Sequence, residues 1–142
     1  MQGSPHRDPR LQNRRSSSPP RRSAVLELSR LECQVHIGVD DEERSARQRV
    51  VIDLRAEGAP GMDEAGLRDP LEREIRRYLT EGRFVLVEAT ILGMARRVFE
   101  LTQARRVSIR FHKFVLPGTD YVAVEMAFLR RNAVGSAPGS RR

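Results

Sequence analysis

The chain has 142 residues, a net charge of +7 and 26 arginine or lysine side chains. This length suits one domain. The positive charge lies near the ends, because residues 24–129 hold eighteen acidic and sixteen basic side chains, a net charge of −2. This distribution argues against a basic nucleic-acid-binding domain, and we expect no specific nucleic-acid partner. A basic arm can still bind polyanions weakly and in a salt-dependent way.

The two ends of the chain differ in composition from its middle. Residues 1–23 are mostly Ser, Pro and Arg, and residues 132–142 are mostly small or polar. Such segments bury too little apolar surface to fold, so we predict a disordered arm, one domain at 24–131 and a disordered tail. The arm lacks the apolar segment of a secretion signal, and no run of about 18 apolar residues exists. We expect a cytoplasmic protein without a membrane span.

Two stretches after the arm alternate apolar and polar residues, which is typical of strands with one buried face. The first runs from Leu26 to Ile37 and includes the only cysteine, Cys33, which we expect to be buried. The second passes through Val50 and Leu54. With the charged turn DDEERSAR between them, the two stretches predict an antiparallel hairpin.

The apolar spacing then changes to that of helices. Two stripes predict two helices: Leu67, Leu71, Ile75, Tyr78 and Leu79, then Val87, Ile91, Met94, Ala95, Val98 and Leu101. Two more alternating stretches, RVSIRFH and YVAVEMAFL, predict a second hairpin. The order β-β-α-α-β-β predicts an α+β fold, a four-stranded antiparallel sheet with two helices on one face. Its outer strands would have unpaired edges, which favours pairing with other copies.

The only lysine of the chain, Lys113, is the first candidate for chemistry. It has the same strand parity as Ile109 and Phe111, so it points to the apolar face at the end of its strand. A snorkelling side chain is one interpretation, although an arginine would serve equally well there. The other is proton transfer, because a lysine can lose its proton and an arginine cannot.

Two glutamates are further candidates. Glu43 follows the first strand and, on spacing alone, is one acid among four in a solvated turn. Glu88 lies in the apolar stretch FVLVEATIL, either as an acid that complements a helix N-terminus or as a carboxylate that awaits a polar ligand. His36, His112 and Cys33 do not have the spacing of a metal site, so we predict no metal.

Three segments resemble dihydroneopterin aldolases. LELSRLECQVHIGVDDEERSARQRVVIDLRAEG is similar to their first hairpin, in which acidic residues follow an Ile-Gly-Val step. EGRFVLVEATILGMARRVFEL is similar to their second helix, and RVSIRFHKFVLPGTDYVAVEM to their last hairpin with its lysine. The resemblance covers residues 25–131 and implies the family's tunnelling fold. In that fold four subunits close their sheets into a barrel, so it also implies a homo-tetramer or homo-octamer with active sites between subunits.

The resemblance also implies a reaction and its residues. 7,8-Dihydroneopterin would undergo retro-aldol cleavage to glycolaldehyde and 6-hydroxymethyl-7,8-dihydropterin, a step towards folate, with no metal, Schiff base or other cofactor. Lys113 would be the general acid and base. Glu88, with the backbone of Val87, would bind the aminopyrimidine edge of the pterin. Glu43 would contact the substrate across the subunit interface.

The sequence departs from the family pattern in ways that keep alternatives open. Arg68 stands where the family has a tyrosine just before its first helix. A shift of the last loop would put His112, rather than Lys113, at the proton-transfer position. The alternative function is a pterin-binding or scaffold paralogue without catalysis. A related zinc-dependent enzyme would need three clustered His or Cys ligands.

Overall fold

The computed structural model describes residues 23–114 and 122–131. The arm predicted at 1–23 and the tail predicted at 132–142 lie outside the described residues, apart from Ser23. Residues 115–121, where the sequence predicts the turn of the last hairpin, lie outside them as well.

The described residues form five strands and three helices. In chain order these are β1 (Ala24–Ile37), α1 (Asp41–Ser45), β2 (Arg47–Gly58), α2 (Glu64–Glu81), β3 (Arg83–Phe84), α3 (Val87–Leu101), β4 (Ala104–Lys113) and β5 (Val122–Leu129). The predicted α+β class is confirmed, and both hairpins and both long helices are present. The prediction missed the one-turn helix α1 and the two-residue strand β3.

Both missed elements are short pieces that the apolar pattern does not mark. Helix α1 forms in the charged turn because the Asp40 carboxylate caps it, accepting a hydrogen bond from the backbone N–H of Glu43 at 2.8 Å. Strand β3 forms where the chain returns from α2 and runs parallel to the last two residues of β1.

The strands form one sheet in the order β3-β1-β2-β4-β5. Strands β1 and β4 are both antiparallel to β2, and β3 is parallel to β1, so β1, β3 and β4 run in the same direction. Their last residues, Ile37, Phe84 and Lys113, therefore meet at one end of the sheet, which we call the carboxyl end. Helix α1 follows β1 there, and α3 follows β3.

The core lies between one face of the sheet and helices α2 and α3. Its fully buried side chains come from the predicted alternating and helical positions: Leu26, Val35, Ile37, Val50, Ile52, Leu71, Ile75, Leu79, Ile91, Met94, Val98, Ile109 and Phe111. Cys33 is also buried, as expected, and burial raises the pKa of its thiol. In the described part of the chain, no helix is long and apolar enough to cross a membrane.

A bulge in β1 keeps its apolar side chains on the core face. The pairing with β2 shifts between Leu28 and Leu31, and Arg30 has a positive φ of 57°. Its backbone N–H donates to the Asp53 carboxylate on β2 at 2.8 Å. The extra residue explains why the buried positions change from even to odd numbers within one strand.

Tyr78 joins the two long helices, as its place in the predicted stripe suggests. Its ring lies 5.1 Å from that of Phe84, and the Arg97 guanidinium lies 4.0 Å from the Tyr78 ring centroid. Its hydroxyl donates to the Thr90 carbonyl at 3.4 Å, and burial raises its pKa. A Cβ on Gly93 would lie 2.6 Å from Cζ of Tyr78, so only glycine fits beneath this ring.

We therefore expect Gly93→Ala to lower the free energy of unfolding by about 1–3 kcal/mol, because the new methyl group displaces the Tyr78 ring. At a solvent-exposed helix position with no close neighbour, a change from glycine to alanine raises the free energy of unfolding by about 1 kcal/mol. Urea unfolding measures the effect. In a Tyr78→Leu background, which removes the ring, Gly93→Ala should be neutral or stabilising. Equal stabilisation in both backgrounds would contradict this packing.

Candidate active site

Three elements bring the candidate residues to the carboxyl end of the sheet. Glu43 lies in α1, directly after β1, and Lys113 is the last residue of β4. Val87 and Glu88 begin α3, three residues after β3. These segments are far apart in sequence, and the common direction of β1, β3 and β4 places them at the same end of the sheet.

Lys113 and Glu43 form a direct ion pair. The Lys113 Nζ atom donates to Oε2 of Glu43 at 2.7 Å, and the two side chains are 13% and 32% exposed. Lys113 pairs across the sheet with Val50, which is fully buried, so its stem starts on the core face. The head group therefore meets a carboxylate, in a charge-assisted hydrogen bond, rather than bulk water.

The turn before α1 directs Glu43 towards Lys113. The Oε1 atom of Glu43 accepts a hydrogen bond from the backbone N–H of Val39 at 3.1 Å. The side chain lies across Gly38, where an added Cβ would come within 2.5 Å of three Glu43 atoms. Arg44 stabilises the same turn by donating to the Gly38 carbonyl at 2.8 Å. Glu43 is thus distinguished from the other acids of the turn.

Glu88 and Val87 lie at the same end of the sheet, on a separate element. The backbone N–H of Gly38 donates to the Phe84 carbonyl at 3.0 Å, which holds the start of α3 beside the end of β1. Glu88 is exposed in the first turn of α3, and Val87 is partly buried. Within residues 23–114 and 122–131, Glu88 forms no ion pair, so its carboxylate is open to a ligand.

His112 points to the opposite face of β4 from Lys113. Its Nε2 atom hydrogen-bonds Oδ2 of Asp53 at 3.1 Å, on the face away from the helices. The register of β4 on β2 pairs His112 with Val51 and Lys113 with Val50. Lys113, and not His112, is therefore the residue that reaches Glu43.

The family pattern predicted that Arg68 lies just before the first long helix, but the structure places it elsewhere. Asp63 caps α2, which begins at Glu64, so Arg68 lies inside the helix. Its guanidinium donates to the Glu27 carbonyl at 3.0 Å, near the start of β1 and away from the carboxyl end. Among the described residues, Arg68 therefore forms no hydrogen bond or ion pair with Lys113 or Glu43.

Sequence reasoning missed the residues that support Glu43. The sequence pattern marks Gly38 only as part of the Ile-Gly-Val step, and it does not single out Gln48. Their role depends on contacts across the turn, which a linear pattern does not encode. Over the residues that the structure describes, no group of three His, Cys, Asp or Glu side chains could hold a metal ion.

Exposed apolar side chains also lie at the carboxyl end of the sheet. Val39 is 70% exposed, Val122 opposite Lys113 is 53% exposed, and Val85 and Leu86 before α3 are also exposed. Several exposed large apolar groups at one end of a sheet are typical of a surface that a ligand or another subunit covers.

Comparison with known proteins identifies the family of this chain. A family model described as dihydroneopterin aldolase (FolB) matches residues 26–127. The chain therefore belongs to the dihydroneopterin aldolase family. None of the curated proteins matches it in sequence.

Solved structures share its fold at low identity. A proposed dihydroneopterin aldolase from Vibrio cholerae is 24% identical, with a TM-score of 0.65 over 75% of this chain and 98% of that one. Escherichia coli dihydroneopterin aldolase in complex with neopterin is 19% identical, with a TM-score of 0.63 over 74% and 98%. A Burkholderia dihydroneopterin aldolase bound to guanine is 21% identical, with a TM-score of 0.60 over 77% and 93%.

The contact between Lys113 and Glu43 predicts a measurable coupling. In a double-mutant cycle with Glu43→Gln and Lys113→Met, we expect a coupling free energy of about 1 kcal/mol, the order expected for a partly buried charge-assisted hydrogen bond. Urea unfolding of the four proteins measures it. The exposed pair Arg55 and Glu27, 2.8 Å apart, is the matched control and should couple more weakly. A coupling of zero for Lys113 and Glu43 would contradict the ion pair.

Proposed function

We propose that the protein cleaves 7,8-dihydroneopterin to glycolaldehyde and 6-hydroxymethyl-7,8-dihydropterin, a step of folate biosynthesis. The observation that carries the proposal is the 2.7 Å contact between Lys113 and Glu43 at the carboxyl end of the sheet. This contact puts the side-chain amine of the only lysine beside a carboxylate, at an end of the sheet that also exposes apolar side chains. Family membership supplies the reaction that such a pair would serve.

The chemistry requires proton transfer more than any other assistance. Loss of the proton from the side-chain hydroxyl next to the scissile bond allows the carbon–carbon bond to break. The C=N bond of the dihydropterin ring accepts the electron pair, and a proton must then be returned to the product. Lys113 is the general acid and base in this scheme, and the Glu43 carboxylate holds its ammonium and contacts the substrate.

Glu88 and Val87 provide the pterin-binding half of the site. An exposed carboxylate at the start of a helix accepts two parallel hydrogen bonds from the amino group and ring N–H of a 2-amino-4-oxopyrimidine, and the Val87 backbone adds a further contact. Neopterin and guanine, the ligands of two solved relatives, both contain this edge. No cofactor takes part in the scheme.

The proposed assembly is a homo-tetramer or a homo-octamer, with each site at a subunit boundary. Strand β5 pairs only with β4 among the described strands, and its exposed Val122 and Leu129 lie along an outer strand. Pairing of outer strands between copies would remove these edges. A cytoplasmic location suits this pathway, and neither a membrane nor a specific nucleic acid is required.

A second candidate function is pterin binding or scaffolding without turnover. It is favoured by the family's tyrosine before the first long helix, which has no counterpart here, because residues 59–63 before α2 contain no tyrosine. The two functions differ in glycolaldehyde release from 7,8-dihydroneopterin. Release by the purified protein supports the aldolase, while pterin binding without release supports the second candidate.

Lys113→Arg separates charge from proton transfer. We expect the variant to fold and assemble like the parent and to lose about 10²- to 10⁴-fold in kcat, because the guanidinium keeps the charge but cannot give up its proton. Glycolaldehyde release at saturating 7,8-dihydroneopterin measures the loss. Parental turnover by the arginine variant would refute the role of Lys113.

Glu88→Gln tests the binding half of the site. The loss of a charged acceptor should weaken neopterin binding about 10- to 100-fold, with a smaller effect on kcat. Fluorescence titration with neopterin gives the dissociation constant. Glu100→Gln is the matched control, because Glu100 is an exposed glutamate on the same helix. Equal affinities of the two variants would exclude Glu88 as the pterin-binding residue.

A further inference from the structure

We propose that Gln48 and Gly38 are positioning residues, which hold the Glu43 carboxylate in the one orientation that meets Lys113. The inference rests on the proposed function for its catalytic consequence. Its structural basis is independent of that function, because it lies in the contacts of Glu43 itself.

Every polar group of Glu43 has a partner. Its backbone N–H donates to Asp40 at 2.8 Å, and its carbonyl accepts from Gln48 Nε2 at 3.0 Å. Its two carboxylate oxygens accept from the Val39 backbone N–H and from Lys113. Such complete bonding of a residue that is only partly buried indicates a preorganised group rather than one acid of a solvated turn.

Gln48 joins the two ends of the turn with one side-chain amide. Its Nε2 donates both to the Glu43 carbonyl and to the carbonyl of Ile37, the last residue of β1. An amide NH₂ has two donors, which match these two acceptors. A glutamate in the same place would present oxygen to both carbonyls, and an alanine would leave both carbonyls without this donor.

Gly38 supplies the space for the Glu43 side chain. A Cβ at this position would lie 2.5 Å from Cγ, Cδ and Oε1 of Glu43, and real Cβ atoms do not approach other atoms that closely. Gly38 is also tied on both sides, by its N–H to Phe84 and by its carbonyl to Arg44. Because these hydrogen bonds hold the backbone of Gly38, the Glu43 side chain would have to move instead. An alanine at this position would therefore push the carboxylate away from Lys113.

The catalytic consequence follows from where these two residues lie. Among the described residues, neither Gln48 nor Gly38 hydrogen-bonds to Glu88, the residue that would bind the pterin, and Gly38→Ala keeps the N–H that donates to Phe84. Loss of either should therefore lower kcat more than it weakens neopterin binding. A merely structural role would lower the free energy of unfolding without this separation.

The reactivity of Lys113 tests the inference without any turnover. Lys113 is the only lysine, so its acetylation by acetic anhydride can be followed in a single peptide by mass spectrometry. We expect Gln48→Ala, Gln48→Glu and Gly38→Ala to raise the acetylation rate about tenfold, and the same rise for Glu43→Gln, because in each variant the amine loses its carboxylate partner. Gln34→Ala and Gln34→Glu, at an exposed position of β1, should match the parent.

The outcomes separate this inference from the proposed function. Parental acetylation rates in folded Gln48 and Gly38 variants would overturn the inference, even if the parent is an active aldolase. Raised rates in a protein that releases no glycolaldehyde would support the positioning role and refute the aldolase. In an active protein, a fall in kcat that exceeds the loss of neopterin affinity completes the support, and a rise in KM at unchanged kcat contradicts it. If one of the three variants does not fold, the other two still test the inference.

Discussion

A lysine ammonium on the core face of a sheet must find a partner, and this requirement explains the carboxyl end of the fold. Lys113 starts beside the fully buried Val50, where an unpaired charge would be costly. Glu43 supplies the compensating carboxylate at 2.7 Å. The glycine at the end of β1 and the one-turn helix α1 both serve to place that carboxylate.

The chain uses its many arginines for a different purpose. Several guanidinium groups donate to backbone carbonyls: Arg44 to Gly38 and Val39, Arg68 to Glu27, Arg76 to Glu32, and Arg130 to Phe99, Thr102 and Ala104. A planar group with five donors suits such carbonyls at turns and strand edges. Arginines also pair with carboxylates, as Arg55 does with Glu27. The lone lysine differs because it can lose the proton that it donates to Glu43, at the site where proton transfer is proposed.

Periodicity predicted most of the fold, because each long element buries one face. The stripes of α2 and α3 and the alternation of β4 were sufficient to place the core, and the parity of β4 placed Lys113 on the core face. Periodicity did not predict α1 or β3, which bury too little to leave a pattern. In the sequence, the bulge at Arg30 is visible only as a change from even-numbered to odd-numbered apolar positions. The Asp53 carboxylate that stabilises the bulge lies on another strand.

The sequence by itself determined the class of fold, the face on which Lys113 lies and, through resemblance, the family. Only the tertiary structure decided that Lys113 rather than His112 meets Glu43, because the two differ by one residue of register against β2. It also decided that Arg68 lies within α2, since the cap at Asp63 sets where that helix begins. The physical reason is the same in both cases. Strand register and helix caps are settled by contacts between distant segments, and a local pattern carries no record of them.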